Sequence, residues 1–340
     1  MSGNKNQHII PQHYLRGFSI DRGRTIKNAE KRICRSNIKE PVKPYAAIKK
    51  TCTCSHFYVT KDGIDKVDEI NKMFEAVHAP ILDELISDQE LPLDSDKIKV
   101  LLTFIMLLST RTESARELAV EIKGKEYTEK AQQFQEELGY HNHKVKITFD
   151  PVKAQYNMMR SFILNSFRIS DLNQVLLINE SKRRFMTSDN PVVFYNYKMF
   201  ENMCITDLSC SGLMIFCPLT ENLLLLYFDK DLYDMHIDTP TTIKVKKESD
   251  IDSINKLQLL QCYDEIYCYD DSELDNIEEL YASVKNHVSN HIGTISYKIR
   301  PSFIKINKEN NRKYNLIMRE HERDNKLYPV TRDELSSYIK

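Results

Sequence analysis

Apolar residues along this chain change their spacing near residue 170, from a helical pattern to a strand pattern. In residues 64–85 they recur every three or four positions, as on one face of an amphipathic helix. This stripe consists of Val67, Ile70, Phe74, Val77, Ile81 and Leu85. Residues 94–120 and 126–138 are predicted to form further helices. Another helix runs to residue 167 from Asp150 and Pro151, because aspartate caps helices and proline fits the first turn.

The second half of the chain carries short, nearly continuous apolar runs that are typical of buried strands. Residues 174–178 and 184–187 flank one turn-like segment, and residues 214–216 and 223–228 flank another, so two successive hairpins are predicted. Helices are expected again at 253–262 and 274–291, and a strand at 303–306. We therefore predict an α+β fold in which a helical block packs against a mostly antiparallel sheet of hairpins. Residues 1–306 would form one interwoven domain, and residues 307–340 a charged tail.

The composition is that of a globular protein and excludes few functions. Of 340 residues, 41% are hydrophobic and 29% charged, and 48 Lys and Arg balance 49 Asp and Glu. Net charge therefore does not direct the chain toward polyanions. The polar first seven residues and the short apolar stretch at 100–108 predict neither a signal peptide nor a membrane span. We expect a cytoplasmic protein whose eight cysteines are reduced thiols, with no membrane as a partner.

An opening motif gathers polar side chains around Pro11, which restricts the backbone of Ile10 as well as its own. His8, Gln12 and Tyr14 form a polar cluster that could line a site. His8 could act as a general base, because imidazole titrates near neutral pH, and Tyr14 could donate a hydrogen bond. In the alternative interpretation, His8 and Gln12 cap buried backbone while Tyr14 packs in the core.

A central motif, residues 187–191, follows a predicted strand. Asp and Asn before Pro commonly bond to their own backbone and close a turn. Alternatively, Asp189 is a carboxylate that orients His8 or holds a metal, with Ser188 and Asn190 binding substrate.

Arg111 lies in the second half of a predicted helix that is apolar around its middle. A guanidinium there must pair with a carboxylate, face a cavity that holds an anion, or reach solvent. We predict that Arg111 binds a phosphate or a carboxylate. Glu75 is its candidate ion-pair partner, although it could also lie on a solvated helix face.

Metal and nucleotide motifs are weak or missing. Cys52, Cys54 and His56 alternate, so a strand would direct all three to one face as zinc ligands, and His141 and His143 have a similar spacing. That spacing is not one of the common zinc modules. No phosphate-binding glycine loop, serine-hydrolase elbow or dinucleotide fingerprint is present in a chain with 8 glycines.

These motifs together resemble the family called domain of unknown function 4238, which is widespread in bacterial proteins. The resemblance supports the predicted fold and the choice of candidate residues, but it implies no reaction. The residues that carry it are His8, Pro11, Gln12, Tyr14, Leu15, Phe18, Phe57, Tyr58, Glu75, Arg111, Thr187, Ser188, Asp189, Asn190, Pro191, Pro218, Leu219 and Asn255.

Two classes of function remain open. The first is a hydrolase, a nuclease or other phosphodiesterase acting on nucleic acid or a nucleotide. Its catalytic residues would be His8, Gln12, Tyr14, Arg111 and Asp189, and a divalent metal is a candidate cofactor. Its substrate-binding residues would be Glu75, Ser188, Asn190 and Asn255. The second is a non-catalytic ligand-binding or interaction module of a bacterial defence or stress system. Its partner could be a second copy of the chain, in a homo-oligomer, or another protein.

Overall fold

The fold is known from a computed structural model of the chain. It describes residues 6–20, 31–40, 42–61, 63, 66–138, 147, 149–197, 208–235, 237–239, 241–288, 295 and 297–307. The helices are α1 (Gln12–Leu15), α2 (Lys66–Asp88), α3 (Ser95–Thr110), α4 (Glu113–Glu137), α5 (Pro151–Leu164), α6 (Glu248–Gln261) and α7 (Leu274–Val284). The first strands are β1 (Asn6–His8), β2 (Arg32–Asn37), β3 (Tyr45–Ala47), β4 (Thr53–Ser55), β5 (Asn173–Asn179) and β6 (Thr187–Ser188). The later strands are β7 (Val193–Tyr195), β8 (Met214–Thr220), β9 (Leu223–Phe228), β10 (Tyr233–Met235), β11 (Thr242–Val245), β12 (Glu265–Cys268) and β13 (Ile304–Ile306).

The helical block consists of α2 to α5, and its boundaries follow from side-chain caps. Asp94 accepts hydrogen bonds from the N–H groups of Asp96 and Lys97 and begins α3. The prediction of one helix over 94–120 is wrong, because the backbone of Thr112 is extended and its hydroxyl accepts from Ala115 N–H to begin α4. The segment predicted as a separate helix at 126–138 is the second half of α4. Asp150 caps α5 as predicted, although α5 ends at Leu164 and a short 3₁₀ turn follows.

The largest sheet has the strand order β11-β5-β9-β8-β7, antiparallel except for the β11–β5 pair. The predicted β8–β9 hairpin is confirmed. The predicted hairpin of residues 174–178 with 184–187 is wrong, because β5 pairs with β9 and β11 while β6 pairs with β12 in a second sheet. Asn179 explains the divergence: its amide donates to Arg183 O and accepts from Ser181 N–H, which turns the chain away from β5.

The second sheet has the order β3-β2-β12-β6 and contains residues from both ends of the described chain. β1 pairs with β4, and β10 pairs with β13, which confirms the strand predicted near 303–306. Helix α6 starts five residues before the predicted 253, and α7 gives way to a 3₁₀ turn that ends at His287. The last residues of the 274–291 prediction and the tail from 308 onward lie outside the described residues, and so do His141 and His143.

Two apolar clusters cover the two faces of the five-stranded sheet, and the alternation along each strand divides them. On β9, Leu223, Leu225 and Tyr227 face the cluster formed with α2 to α5, whereas Leu224 and Leu226 face α6 and α7. Both faces of these strands are covered, which is why they read as continuous apolar runs. The α+β class is confirmed, with the sheet between two helical layers. Within the described ranges, no helix combines the length and the apolar character needed to cross a bilayer.

Candidate functional site

Tyr14 joins the opening motif to the sheet through a buried network. Its phenol donates to the carbonyl oxygen of Pro218 over 2.6 Å and lies 2.7 Å from the hydroxyl of Thr187. Because the phenol has a single proton, Thr187 must be the donor in the second bond. Burial raises the pKa of Tyr14 well above its usual value, so the phenol stays protonated. The opening motif, the central motif and Pro218 of β8 therefore meet at one phenol oxygen.

Gly17 allows the backbone of the opening motif to lie close to strand β8. A Cβ atom at this position would lie 2.1 Å from the carbonyl oxygen of Leu219, a distance that only backbone movement could relieve. The glycine is thus required by contact between the opening motif and β8.

Arg111 is buried and held on three sides. Its side chain is 2% exposed and lies 2.7 Å from Glu75 Oε1, while the other terminal nitrogen donates to the carbonyl oxygen of His8 over 2.9 Å. The phenol of Tyr58 donates to the Arg111 carbonyl. Glu75 is therefore the ion-pair partner of Arg111, one of the two alternatives that the sequence left open. Both terminal nitrogens of the guanidinium are occupied by groups of this chain, whereas the buried Nε has no hydrogen-bond partner among the described residues.

The imidazole of His8 lies beside this ion pair. Its Nδ1 is 3.5 Å from Gln12 Nε2, the limit of a hydrogen bond, and burial lowers its pKa. His13 and His78 lie nearby, and together with Glu75 and Arg111 they line a cavity of about 10 Å³, room for one water molecule. Burial lowers the pKa of both histidines, that of His78 to about 4.

Asp189 occupies a different place, at the start of the turn after β6. One carboxylate oxygen accepts from Tyr263 N–H at 2.9 Å, and the other accepts from Asp264 N–H at 2.7 Å and Glu265 N–H at 2.9 Å. Burial raises its pKa to about 6 despite these three donors. The Cys262 thiol also hydrogen-bonds to this carboxylate. The roughly four lone-pair positions of the carboxylate are therefore taken up within the chain, and what it offers a ligand is its charge.

The polar neighbours of Asp189 bind the backbone around α6. Ser188 Oγ accepts from Asn190 N–H and from the amide of Gln258, and the amide of Asn190 donates to Gln261 O. Asn255 accepts from Met186 N–H and donates to Arg184 O. These side chains fix the turn that carries Asp189 against the helix.

A cavity of about 330 Å³ opens beside Asp189. Its floor comes from two paired strands: Arg35 lies opposite Tyr267, and Asn37 lies opposite Glu265. Alternation along β2 and β12 puts these four side chains on one face of the sheet. The other lining residues are Ile9, Lys50, Cys52, Thr53, Cys54, Glu113, Asp189, Tyr263 and Asp264. The volume suits a small molecule, since ligand cavities begin at roughly 300 Å³.

Acidic groups outnumber basic groups around this cavity, four against two. Arg35 is paired with Glu265 over 2.7 Å, and Tyr267 donates to the other oxygen of Glu265. Asp264 is paired with Lys39. The remaining carboxylates are those of Asp189 and of Glu113 at the rim, an exposed residue whose partly desolvated carboxylate has a raised pKa.

The residues predicted from the sequence therefore fall into separate places. Asp189 lines the cavity, whereas Arg111, Glu75 and the ring of His8 lie together at the helical block, and Tyr14 lies in the core. Gln12 is beside His8. Among the described residues, the wall of the 330 Å³ cavity includes Ile9 but none of His8, Gln12, Tyr14 and Arg111. The catalytic and substrate-binding assignments of these residues stay predictions.

The sequence did not point to Arg35, Asn37, Tyr263, Glu265 or Tyr267. The available signal was the alternation of polar and apolar residues in Glu265-Ile266-Tyr267, because Arg35-Ser36-Asn37 is polar throughout. These two strands are 230 positions apart, so nothing local reveals that they are neighbours.

The proposed strand of zinc ligands does not form. Strand β4 covers only Thr53–Ser55, and Cys52 and His56 on either side have positive φ angles of 51° and 57°. The three side chains therefore do not alternate on one face. In the part of the chain that the structure describes, no three His, Cys, Asp or Glu residues are grouped as a metal site.

Fold and cavity together define a class: an α+β protein in which two strands distant in sequence form the floor of a polar cavity of ligand size. The chain belongs to the family described as protein of unknown function (DUF4238), whose model matches residues 6–272. The matched range includes the opening motif, the central motif and every residue of the cavity. No curated protein and no solved structure gives a significant match.

Proposed function

We propose that this protein binds a small polar ligand carrying a positive charge, in the cavity lined by Asp189. The observation that carries the proposal is the carboxylate of Asp189, which three backbone N–H groups hold in one orientation at the wall of a 330 Å³ cavity. A fixed carboxylate loses little entropy when a ligand binds.

Charge around the cavity supports a cation in particular. Glu265 and Asp264 are neutralised by Arg35 and Lys39, so the carboxylates of Asp189 and Glu113 remain for a ligand. Lys50 is the one lining cation outside these pairs among the described residues. Primary ammonium and guanidinium groups suit such a site, because they donate charge-assisted hydrogen bonds to carboxylates.

Calorimetry with ethylammonium, agmatine, arginine and spermidine tests this proposal, with acetate and inorganic phosphate as anionic probes. We expect at least one cation to bind and the anions not to bind. Glu113→Gln should weaken cation binding about 1.5- to 5-fold, because an exposed ion pair contributes about 0.2–1 kcal/mol. Glu129→Gln, roughly 24 Å away along α4, is the matched control and should change nothing. Anion binding without cation binding would contradict the proposal.

The second candidate is hydrolysis of a phosphodiester in a nucleotide or nucleic acid. It is favoured by the pKa of Asp189, about 6, since a carboxyl group that titrates near neutrality can act as a general acid or base. Lys50 supplies positive charge on the same cavity wall, where Arg35 is paired with Glu265. Steady hydrolysis of bis(4-nitrophenyl) phosphate, lost in Asp189→Asn, would support this candidate over simple binding.

The proposal includes a cytoplasmic location in a bacterial cell, and a role as a ligand sensor in a defence or stress response. The location is supported by cysteines that are free thiols in the described chain. Growth comparison of a deletion strain under phage, oxidative and osmotic challenge tests the role.

A further inference from the structure

Cys34 and Cys268 lie directly opposite each other on the antiparallel strands β2 and β12. The neighbouring contact Ile38 N–H to Asp264 O marks a hydrogen-bonded pair, and such pairs recur at every second position. Cys34 and Cys268 fall in that series, so their Cα atoms are about 5.5 Å apart, within the range of disulfides.

Both thiols are buried, with 0% and 1% exposure, on the face of the sheet opposite the cavity. Their contact is direct: hydrogen bonding to Cys34, together with burial, raises the pKa of the Cys268 thiol. Two other cysteines on paired strands have no cysteine opposite them, since Cys54 faces Gln7 and Cys217 faces Leu225.

We propose that Cys34 and Cys268 form an oxidation site that a small hydroperoxide converts into a disulfide between β2 and β12. Hydrogen peroxide is the suitable oxidant, because it is small enough to reach buried sulfur during local opening, whereas a glutathione-sized disulfide is not.

The chemistry is balanced within the pair. Ionised Cys34 attacks one peroxide oxygen, the O–O bond breaks, and the departing hydroxide takes up a proton and leaves as water. The resulting sulfenic acid is attacked by the sulfur of Cys268, which loses its proton. The S–O bond then breaks and a second water leaves. Two electrons pass from the two sulfurs to the peroxide, so a dithiol and hydrogen peroxide give a disulfide and two waters.

The disulfide would connect the two strands that form the floor of the cavity. Arg35 and Tyr267, which are adjacent to the two cysteines, are themselves cross-strand partners on the cavity face. Oxidation would therefore restrict the strand pair that presents the ligand-facing side chains. The oxidation site itself does not depend on the identity of the ligand.

Peptide mapping after hydrogen peroxide treatment of the reduced, folded protein tests the proposal. We expect an intact mass lower by about 2 Da, because two hydrogens are lost, and a linked peptide pair containing Cys34 and Cys268. Cys34→Ser and Cys268→Ser should each abolish the linked pair, while Cys54→Ser, the control, should retain it.

Circular dichroism identifies any variant that fails to fold, in which case Cys34→Ala and Cys268→Ala replace the serine variants. A linked pair of Cys52 with Cys54 instead would overturn the proposal. So would protein that is oxidised for a prolonged time in its folded state, then denatured, and whose Cys34 and Cys268 still react with an alkylating reagent.

Discussion

The phenol of Tyr14 donates a hydrogen bond to the carbonyl oxygen of Pro218 across 2.6 Å, although the two residues are 204 positions apart. Thr187 completes the contact. The opening motif, the central motif and Pro218 thus contain residues that hold each other in place. Some of the residues that carry the resemblance therefore stabilise the fold, and Tyr14 is the clearest example.

Tyr14→Phe should destabilise the protein, because it leaves the Pro218 carbonyl and the Thr187 hydroxyl without their partner. The ring stays in place, so the loss comes from hydrogen bonds and not from a cavity. We expect the free energy of unfolding to fall by about 1–3 kcal/mol in urea denaturation. Tyr156→Phe, on the exposed side of α5, is the control and should stay within about 0.5 kcal/mol. A Tyr14→Phe protein as stable as the parent but inactive would instead indicate a catalytic phenol.

Gly17→Ala and Gly124→Ala should have opposite effects. The new methyl at Gly17 would lie 2.1 Å from Leu219 O, so we expect a loss of about 1–3 kcal/mol or more from overpacking. Gly124 lies within α4, and a methyl group added there would have nothing within 4 Å, so alanine should stabilise by about 0.5–1 kcal/mol. The melting temperatures of both variants, compared with that of the parent, test these expectations. A Gly17→Ala protein as stable as the parent would refute the close approach to β8.

Removal of Arg111 should reveal a buried ion pair. Arg111→Met would leave the His8 carbonyl and the partly exposed carboxylate of Glu75 unpaired, at a cost of about 1–3 kcal/mol. Lys97→Met, which breaks the exposed pair with Glu84, should cost no more than about 1 kcal/mol. Equal, small effects in chemical denaturation would mean that Arg111 is available to a ligand, as the sequence-based prediction of an anion clamp requires.

Acid should weaken the fold through His78. Its pKa falls from 6.5 to about 4 on folding, so the unfolded chain binds more protons between these values, and the free energy of unfolding decreases as pH falls through that window. The full effect is about 3 kcal/mol. Asp189, with a pKa raised from 3.8 to about 6, contributes the opposite slope between those values.

The comparison that isolates the histidine is His78→Gln against the parent at pH 7 and pH 4.5. We expect the variant to lose less stability than the parent on acidification. A parent and variant with parallel pH profiles would show that His78 is solvated.

Local signals in the sequence predicted the elements whose geometry is local. The stripe from Val67 to Leu85 predicted α2, and Asp150 with Pro151 predicted the start of α5. The helix break at Thr112 was missed, because a threonine hydroxyl that bonds to Ala115 N–H is not distinguishable in sequence from one inside a helix. The pairing of β5 was missed since strand partners depend on contacts distant along the chain.

The candidate site was predicted less well for the same reason. Asp189 was identified from the residues around it, but the cavity floor joins Arg35 to Glu265 across 230 positions. The cluster of His8, Arg111 and Glu75 was anticipated in part, since the Arg111–Glu75 pair was one of the alternatives. Its separation from the cavity could not be derived from sequence, because it depends on which face of β1 meets the helices.

In the proposed function, the carboxylate of Asp189 receives a cationic ligand. Carbon-detected NMR of the Asp189 side chain, without ligand and with saturating amounts of the cation that binds best in calorimetry, measures its pKa directly. We expect a value of about 6 in the free protein and a lower value in the complex, because a bound cation favours the charged form. A cation that binds and leaves the pKa of Asp189 unchanged, or a panel in which no cation binds, would contradict the account.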